Sequence, residues 1–241
     1  MLTVDFSRID LPRNSWVLDA GCGAGRHMCE AFRRPDVHVV GIDMSKKDAL
    51  TADRTLNSMV HAAEDGGGMK LVSVSDITRL PFKDEVFDVV ICSEVLEHIP
   101  DHRQAVSEIV RVLKPGKSLV VSVPRYLPER ICWALSYDYH NEKGGHIRIF
   151  RKKELIGLLE EAGATCVGTA WAHSLHTPYW WLKCLVGHKN DDFPLVKLYH
   201  RFLVWDIMKK PLFTRLLDRV LNPVIAKSIV VYLRKGDEYG G

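Results

Sequence analysis

Asp19-Ala20-Gly21-Cys22-Gly23-Ala24-Gly25 places an acid ahead of three glycines at alternate positions, directly after the apolar pair Val17-Leu18. Glycines admit backbone angles that other residues avoid, and they let a ligand approach the main chain closely. A helix beginning just beyond them offers unpaired N–H groups and the positive end of a dipole. This is the chemistry of a cradle for a small charged or polar cofactor. A dinucleotide fingerprint would need its third glycine at position 26, where Arg26 stands instead. That spacing disfavours an NAD(P)-dependent oxidoreductase. A second group is Glu94, Glu97 and His98, at i, i+3 and i+4, which on a helical turn would share a face. His98, His140 and His146 are candidates for a base that takes a proton from a hydroxyl acceptor. His98 lies just past an apolar strand, with a packing or helix-capping histidine as the alternative. His146 and Arg148 precede a helix and are placed to order a lid.

These residues need strands and helices to position them. Short apolar runs predict strands over 15–20, 37–43, 70–76, 87–92, 117–123, 164–170 and 228–233, the last followed by a polar tail. Helical patterns occupy 24–34, 46–64, 101–113 and 151–162, and Pro115-Gly116 reads as a turn. Strands alternating with helices imply a mostly parallel sheet, with ligands beyond the carboxyl ends of its strands. Asp19, Asp43 and Asp76 all fall at such ends. Residues 125–147 carry many aromatics, histidines and glycines and read as an irregular, lid-like region.

Further motifs follow in a recognisable order. Asp43 stands 22 residues after Gly21, and Asp76 is followed by Ile77. Then come Leu80-Pro81-Phe82, Phe87-Asp88-Val89-Val90, Ser93-Glu94-Val95-Leu96-Glu97-His98 and Leu113-Lys114-Pro115-Gly116-Lys117. His146-Ile147-Arg148-Ile149-Phe150, Glu154-Leu155 and Glu161-Ala162-Gly163-Ala164 complete the series. Over about 15–170 this resembles the class I S-adenosylmethionine-dependent methyltransferases, in their type 11, ubiquinone-biosynthesis-like branch. The resemblance implies an α/β, Rossmann-like class I methyltransferase fold. That is a mostly parallel seven-stranded sheet with helices on both faces, here with a helical insertion before the last strand.

The resemblance also implies S-adenosyl-L-methionine as cofactor, held by Asp19, Gly21, Cys22, Gly23, Gly25, Asp43, Met44, Asp76, Ile77, Ser93 and Glu94. The family's acid at Asp43 takes the ribose hydroxyls, since a carboxylate offers two acceptors. Its acid at Asp76 accepts from the adenine amino group, and Ile77 packs on the ring or donates its N–H. Locally, Asp19 could instead cap the turn and Asp43 the following helix. Asp88 reads as a structural acid at a strand start. The string E-x-x-E-H is similar to that of metal-assisted ubiquinone O-methyltransferases, which would put a metal at Glu94, Glu97 and His98. The wider family shares much of the string without a metal, so both readings stand.

The chain has 241 residues, 46% of them hydrophobic and 26% charged, with a net charge of +3. That charge is too small to argue for nucleic acid as a partner. Six cysteines are scattered without a CxxC pair, and buried free thiols are expected. The N-terminal residues lack a basic start and an apolar core, and no run of 18 apolar residues occurs. The expected location is the cytoplasm, with peripheral contact at the inner face of the membrane as a further option. One methyltransferase domain over 1–241 is expected, with a cofactor core at 15–124, a lid and substrate region at 125–150 and an insertion at 171–226.

Little chain precedes the first strand, so the cover over the cofactor falls to the lid and the insertion. Tyr126, Trp133, Tyr137, Tyr139 and His140 are the acceptor-pocket candidates, with a packed aromatic cluster as the alternative. Residues 171–227 hold nine Lys/Arg and four Asp/Glu, net +5, leaving the rest of the chain at −2. Two amphipathic helices are expected over about 193–209 and 212–221, the second bounded by Pro211 and Pro223. They could cap the sheet or a second subunit in a homodimer, close an acceptor channel, or sit on an anionic membrane. The last two favour a small lipophilic acceptor, such as a quinone, polyprenyl or lipid intermediate. The competing function is a non-catalytic or membrane-associated assembly protein that keeps the fold.

Overall fold

A computed structural model describes residues 2–237; Met1 and residues 238–241, the end of the expected polar tail, lie outside the described residues. The first half alternates as expected. β1 (Trp16–Ala20), α1 (Arg26–Phe32), β2 (His38–Asp43), α2 (Lys46–His61) and β3 (Lys70–Val74) lead to β4 (Phe87–Ser93) and α3 (His102–Arg111). The second half runs β5 (Leu113–Pro124), α4 (Tyr126–Leu135), α5 (Tyr137–His140), α6 (Lys152–Glu161) and β6 (Ala164–Ala172). α7 (His176–Val186), α8 (Pro194–Lys209), α9 (Leu212–Ile225) and β7 (Ser228–Lys235) complete the chain. The sheet order is β3-β2-β1-β4-β5-β7-β6, parallel except for β7. This is the Rossmann-like, class I methyltransferase architecture.

Alternation along the strands builds two apolar layers. Leu18, Val40, Val90 and Leu119 face α3 and α6, where Val106, Ile109, Leu155 and Leu159 meet them. Val17, Val39, Ile91 and Val120 face α1, α2 and the N-terminal segment, against Phe32, Leu56 and Phe6. Each fully buried aliphatic chain is worth roughly 1.5–3 kcal/mol, so these layers fix where the strand ends lie. Asp88 plays the structural part expected of it, accepting from the Trp16 N–H at 3.0 Å and from Lys114 at 2.9 Å.

Several expectations shift for local reasons. α1 begins at Arg26 rather than 24, because Gly25 is left-handed at φ 83°. β5 begins at Leu113, pairing with Phe87 before the register shifts, so the Pro115-Gly116 turn lies inside its span. Residues 125–147 are largely helical: Pro128 occupies the first turn of α4, where a missing N–H costs nothing. Ser136 then ends α4 and starts α5 by accepting from the Tyr139 N–H. α7 forms over residues read only as an aromatic stretch, again with a proline in its first turn. α9 continues through Pro223, the expected stop, to Ile225.

β6 ends at Ala172 opposite Ser228, and Ser228 begins β7 opposite Pro124, the end of β5. The insertion between β6 and β7 therefore leaves the sheet at the edge where β1, β4 and β5 also end. The topology places α7, α8 and α9 at the edge of the glycine turn.

Candidate functional site

The glycine turn is left-handed three times, at Gly21 (φ 82°), Gly23 (φ 52°) and Gly25 (φ 83°). A Cβ at Gly21 would lie 2.3 Å from Val95 Cγ2, and one at Gly25 would lie 3.0 Å from Ala52 Cβ. At Gly23 it would meet nothing within 4 Å. The outer glycines thus allow packing, and the middle one presents bare main chain to open space. The Gly21 and Cys22 N–H groups donate to Ile42 O at 2.8 and 2.9 Å, and Asp43 accepts from the Gly23 N–H at 2.9 Å and the Ser45 N–H at 2.8 Å. The acid at the end of β2 thereby locks the turn onto the second strand while Ser45 caps α2.

A cavity of about 300 Å³ opens over this turn. Gly21, Cys22, Gly23, Asp43, Met44, Ile77, Ser93, Glu94 and His98 line it, as do Ala24, Arg26, His27, Val95 and Ile99, which were not among the expected site residues. Its size is at the lower end for a small-molecule site. Three expected cofactor residues are not on its wall. Gly25 packs against α2. Asp76 is exposed and its Oδ1 accepts from the Thr78 N–H and hydroxyl, both at 2.8 Å, so Ser75 and Ile77 line the cavity instead. Asp19 is 1% exposed, and neither of its oxygens has a hydrogen bond of good geometry. Burial raises its pKa to about 7, against the opposing pull of the Met28 N–H and the Arg26 charge.

Acids and histidines gather at the end of β4. Glu94 is left-handed (φ 58°), its N–H donates to Ser122 O at 2.8 Å, and its Oε1 accepts from the Ser122 hydroxyl at 2.9 Å. Glu97 is fully buried, with no hydrogen-bond partner for either oxygen. Burial, then the neighbouring Glu94, push its pKa well above the usual carboxylate range. Residues 94–98 form a turn rather than a helix, so the helical face expected for Glu94, Glu97 and His98 does not form. Ligand atoms of Glu97, His98 and His146 do lie within 4.8 Å of one another, which exchanges Glu94 for His146 in the candidate metal set.

His98 Nδ1 lies 3.0 Å from Gly145 O, so that nitrogen carries the proton and Nε2 keeps its lone pair. Burial, then His146, lower its pKa. His146 Nδ1 sits 2.6 Å from Glu129 Oε1 on α4. Arg148 staples the turn, donating to the carbonyls of Leu96, Ile99 and Pro100.

Comparison with known proteins bears on what this edge is. Residues 18–121 match a family described as a methyltransferase domain. These residues are a methyltransferase domain. The chain is 35% identical over 136 residues to a ubiquinone biosynthesis O-methyltransferase of Hahella chejuensis, covering 56% of this chain and 54% of that protein. It is 28% identical over 167 residues to the protein of the same name from Colwellia psychrerythraea, covering 65% and 63%. The chain thus spans only about half to two-thirds of these relatives' length. Its fold resembles a putative methyltransferase of Bacillus halodurans (TM-score 0.62, 22% identity, 96% of each chain). It resembles a 4+2 cyclase equally well (TM-score 0.62, 20% identity, 96% of this chain and 78% of that one).

Around the methyltransferase domain, the lid and insertion bring other groups to the same edge. Of the five acceptor-pocket candidates, Tyr139 faces the histidines, 6.4 Å from the His146 ring and 5.8 Å from that of Trp180. Trp133 and His140 stack on each other at 4.0 Å. The Tyr126 hydroxyl accepts from Arg151, and Tyr137 is 80% exposed, so neither is part of this group. Glu129 and Lys227 were missed by the sequence reading. The Lys227 ammonium lies 4.9 Å from the Trp180 ring centre, and its charge acts on both Glu94 and Glu97. An apolar groove of about 550 Å³ runs between α7, α8 and α9. A wider cleft of about 970 Å³ separates α8 and α9 from α1 and the N-terminal segment, and it shares Ala24 and Arg26 with the cofactor cavity. All six cysteines are free, and all but Cys166 are buried.

Proposed function

We propose that this chain transfers a methyl group from S-adenosylmethionine to a hydroxyl oxygen of a small lipophilic acceptor, with His98 as the base. The observation that carries the reading is His98 itself. It stands on the cavity wall with Nδ1 committed to Gly145 and Nε2 left as an acceptor. The residues present suit the cofactor: Gly23 leaves open space for close approach, Asp43 ends β2 at the turn, and Met44, Ile77 and Ser93 line the wall. Gly21, Gly23, Asp43, Met44, Ile77 and Ser93 would hold it. When bound, the cofactor supplies a methyl group on a sulfonium with a neutral thioether as leaving group.

The chain's part is positioning and proton removal. Neutral His98 accepts the acceptor's hydroxyl proton at Nε2 as the oxygen–carbon bond forms. Gly145 O holds the ring, and Glu129 holds the neighbouring His146. Tyr139 and Trp180 wall the acceptor side, and the apolar groove between α7, α8 and α9 favours a lipophilic body. The test is His98→Gln, assayed with labelled cofactor against catechol, hydroquinone and extracted lipid fractions. Turnover falls by roughly 10²–10⁴-fold while calorimetry shows unchanged cofactor affinity. Undiminished turnover overturns the base assignment. Cofactor binding without turnover on any acceptor favours the non-catalytic alternative.

The orphaned Glu97 carboxylate supports a second reading, in which Glu97, His98 and His146 hold a divalent cation that polarises the acceptor oxygen. Loss of turnover in EDTA with recovery on added magnesium is the expected result of that reading. Indifference to EDTA removes it and leaves His98 as a base.

A further inference from the structure

α9 sits on the protein the wrong way round for a soluble helix. Its uncharged polar residues and its one acid face inward: Asp218 accepts from the Ser174 hydroxyl and the Leu175 N–H, and Asn222 Oδ1 accepts from the Ser174 N–H. Thr214 is buried beside them. These bonds fix the rotation of the helix and turn its apolar stripe to solvent. Leu212 is 88% exposed, and Leu216 and Val220 are both more than 60% exposed. The stripe does not stop there. Phe213 contacts Trp205 of α8 at 6.4 Å, and Trp205 contacts Phe202 at 6.0 Å. Met208, 74% exposed, extends the same surface. An apolar patch this large on a soluble surface needs a partner.

We infer that this patch docks on an anionic phospholipid bilayer, with the α8–α9 pair lying in the headgroup plane. Charge selects the partner. Residues 171–227 carry net +5 against −2 for the rest of the chain. Arg215 and Arg219 flank the apolar stripe of α9, and Arg201 and Lys209 are exposed on α8. Among the described residues, none of these four makes an ion pair. Three acids of the segment are engaged elsewhere, Asp191 with Lys183, Asp192 with Lys197 and Asp218 with Ser174. Two copies meeting through this face would oppose two surfaces of the same positive sign, whereas an anionic bilayer offers both hydrocarbon and the opposite charge. No helix among the described residues is long and apolar enough to cross a membrane, so the contact is interfacial. Docking here stands independently of methyl transfer.

The experiment is flotation of the full chain with phosphatidylcholine vesicles, and with vesicles that also contain phosphatidylglycerol. The wild type floats with the anionic vesicles, and added salt weakens the association. Arg215→Gln with Arg219→Gln lowers partitioning by about 30-fold. Leu216→Asp with Val220→Asp abolishes it, and Trp205 emission no longer shifts to the blue on adding vesicles. All four substitutions are at exposed positions, and an unchanged thermal melt with unchanged calorimetric cofactor titration shows that the fold survives. The inference is overturned if the wild type floats with neither vesicle, or if both variants float like the wild type. It is equally overturned if light scattering shows a dimer that Leu216→Asp with Val220→Asp splits while flotation is absent.

Discussion

Asp19→Asn should make the protein more stable, and only on the alkaline side. The carboxylate is 1% exposed without a good hydrogen bond, and its pKa rises from 3.8 to about 7. A group whose pKa is raised on folding favours the fold when protonated. That contribution is complete below pH 3.8 and is lost as the pH climbs through about 7. A rise of this size corresponds to about 4 kcal/mol between the two limits, an upper figure for one buried acid. The amide keeps the shape and an acceptor for the Met28 N–H but cannot ionise. Urea unfolding of both proteins across this range should give a stability difference that grows with pH in favour of the variant by up to that amount. Glu94 and Glu97 also have raised pKa values, but both proteins carry them, so the difference isolates position 19. A difference that stays constant within about 0.5 kcal/mol at every pH would refute the buried, uncompensated state of Asp19.

The glycines of the turn separate packing from ligand approach. Gly25→Ala meets Ala52 at 3.0 Å with φ 83° and should cost about 2–4 kcal/mol in urea unfolding. Gly23→Ala should cost only about 1 kcal/mol yet weaken S-adenosylmethionine binding about ten-fold in calorimetry; unchanged affinity would place the cofactor elsewhere. The pH–rate profile should show an acidic limb below pH 6.5, because burial lowers His98 and a base must be neutral to act. Glu129→Gln removes a charge that raises His98, so the limb should move to lower pH; a limb that stays put or moves up would refute this coupling.

What the chain showed in sequence, and what it hid, follows from the range of the interactions. The glycine turn and the acid at Asp43 were legible because their partners are neighbours in a βαβ unit, whose spacing is set by strand and helix length. The expectation for Asp76 rested on family order, yet Thr78 is two residues away and takes Oδ1 into a local turn. The shared helical face of Glu94, Glu97 and His98 failed because Glu94 leaves β4 in a left-handed conformation. Glu129 left no local signal at all. Its partner His146 lies on a separate segment, joined to it only when α4 folds over the edge. α4 and α7 were missed because each carries a proline in its first turn, which reads as a break when its place in the helix is unknown. The amphipathicity of α9 was legible in sequence, but which face the protein would cover was not. Polar partners at Ser174, some forty residues away, decide that.

The same edge of the sheet gathers buried acids: Asp19, Glu97 and Glu129 are each 3% exposed or less. Asp19 and Glu97 have no good hydrogen bonds, Glu94 lies close enough to raise Glu97, and Glu129 adds a further charge. Lys227 and Arg148 oppose them in part. Buried carboxylates without full compensation oppose folding, and their persistence marks a place where another requirement prevails. A positively charged ligand is one group that would turn this cost into affinity, since each carboxylate it approaches regains an opposite charge. S-adenosylmethionine is such a ligand, through its sulfonium, and its demethylated product is not. The electrostatics of the edge therefore favour the charged donor over the neutral product. That is the preference a methyltransferase needs at the step where product leaves, and the pyrophosphate of an NAD(P) cofactor would meet charge of its own sign here.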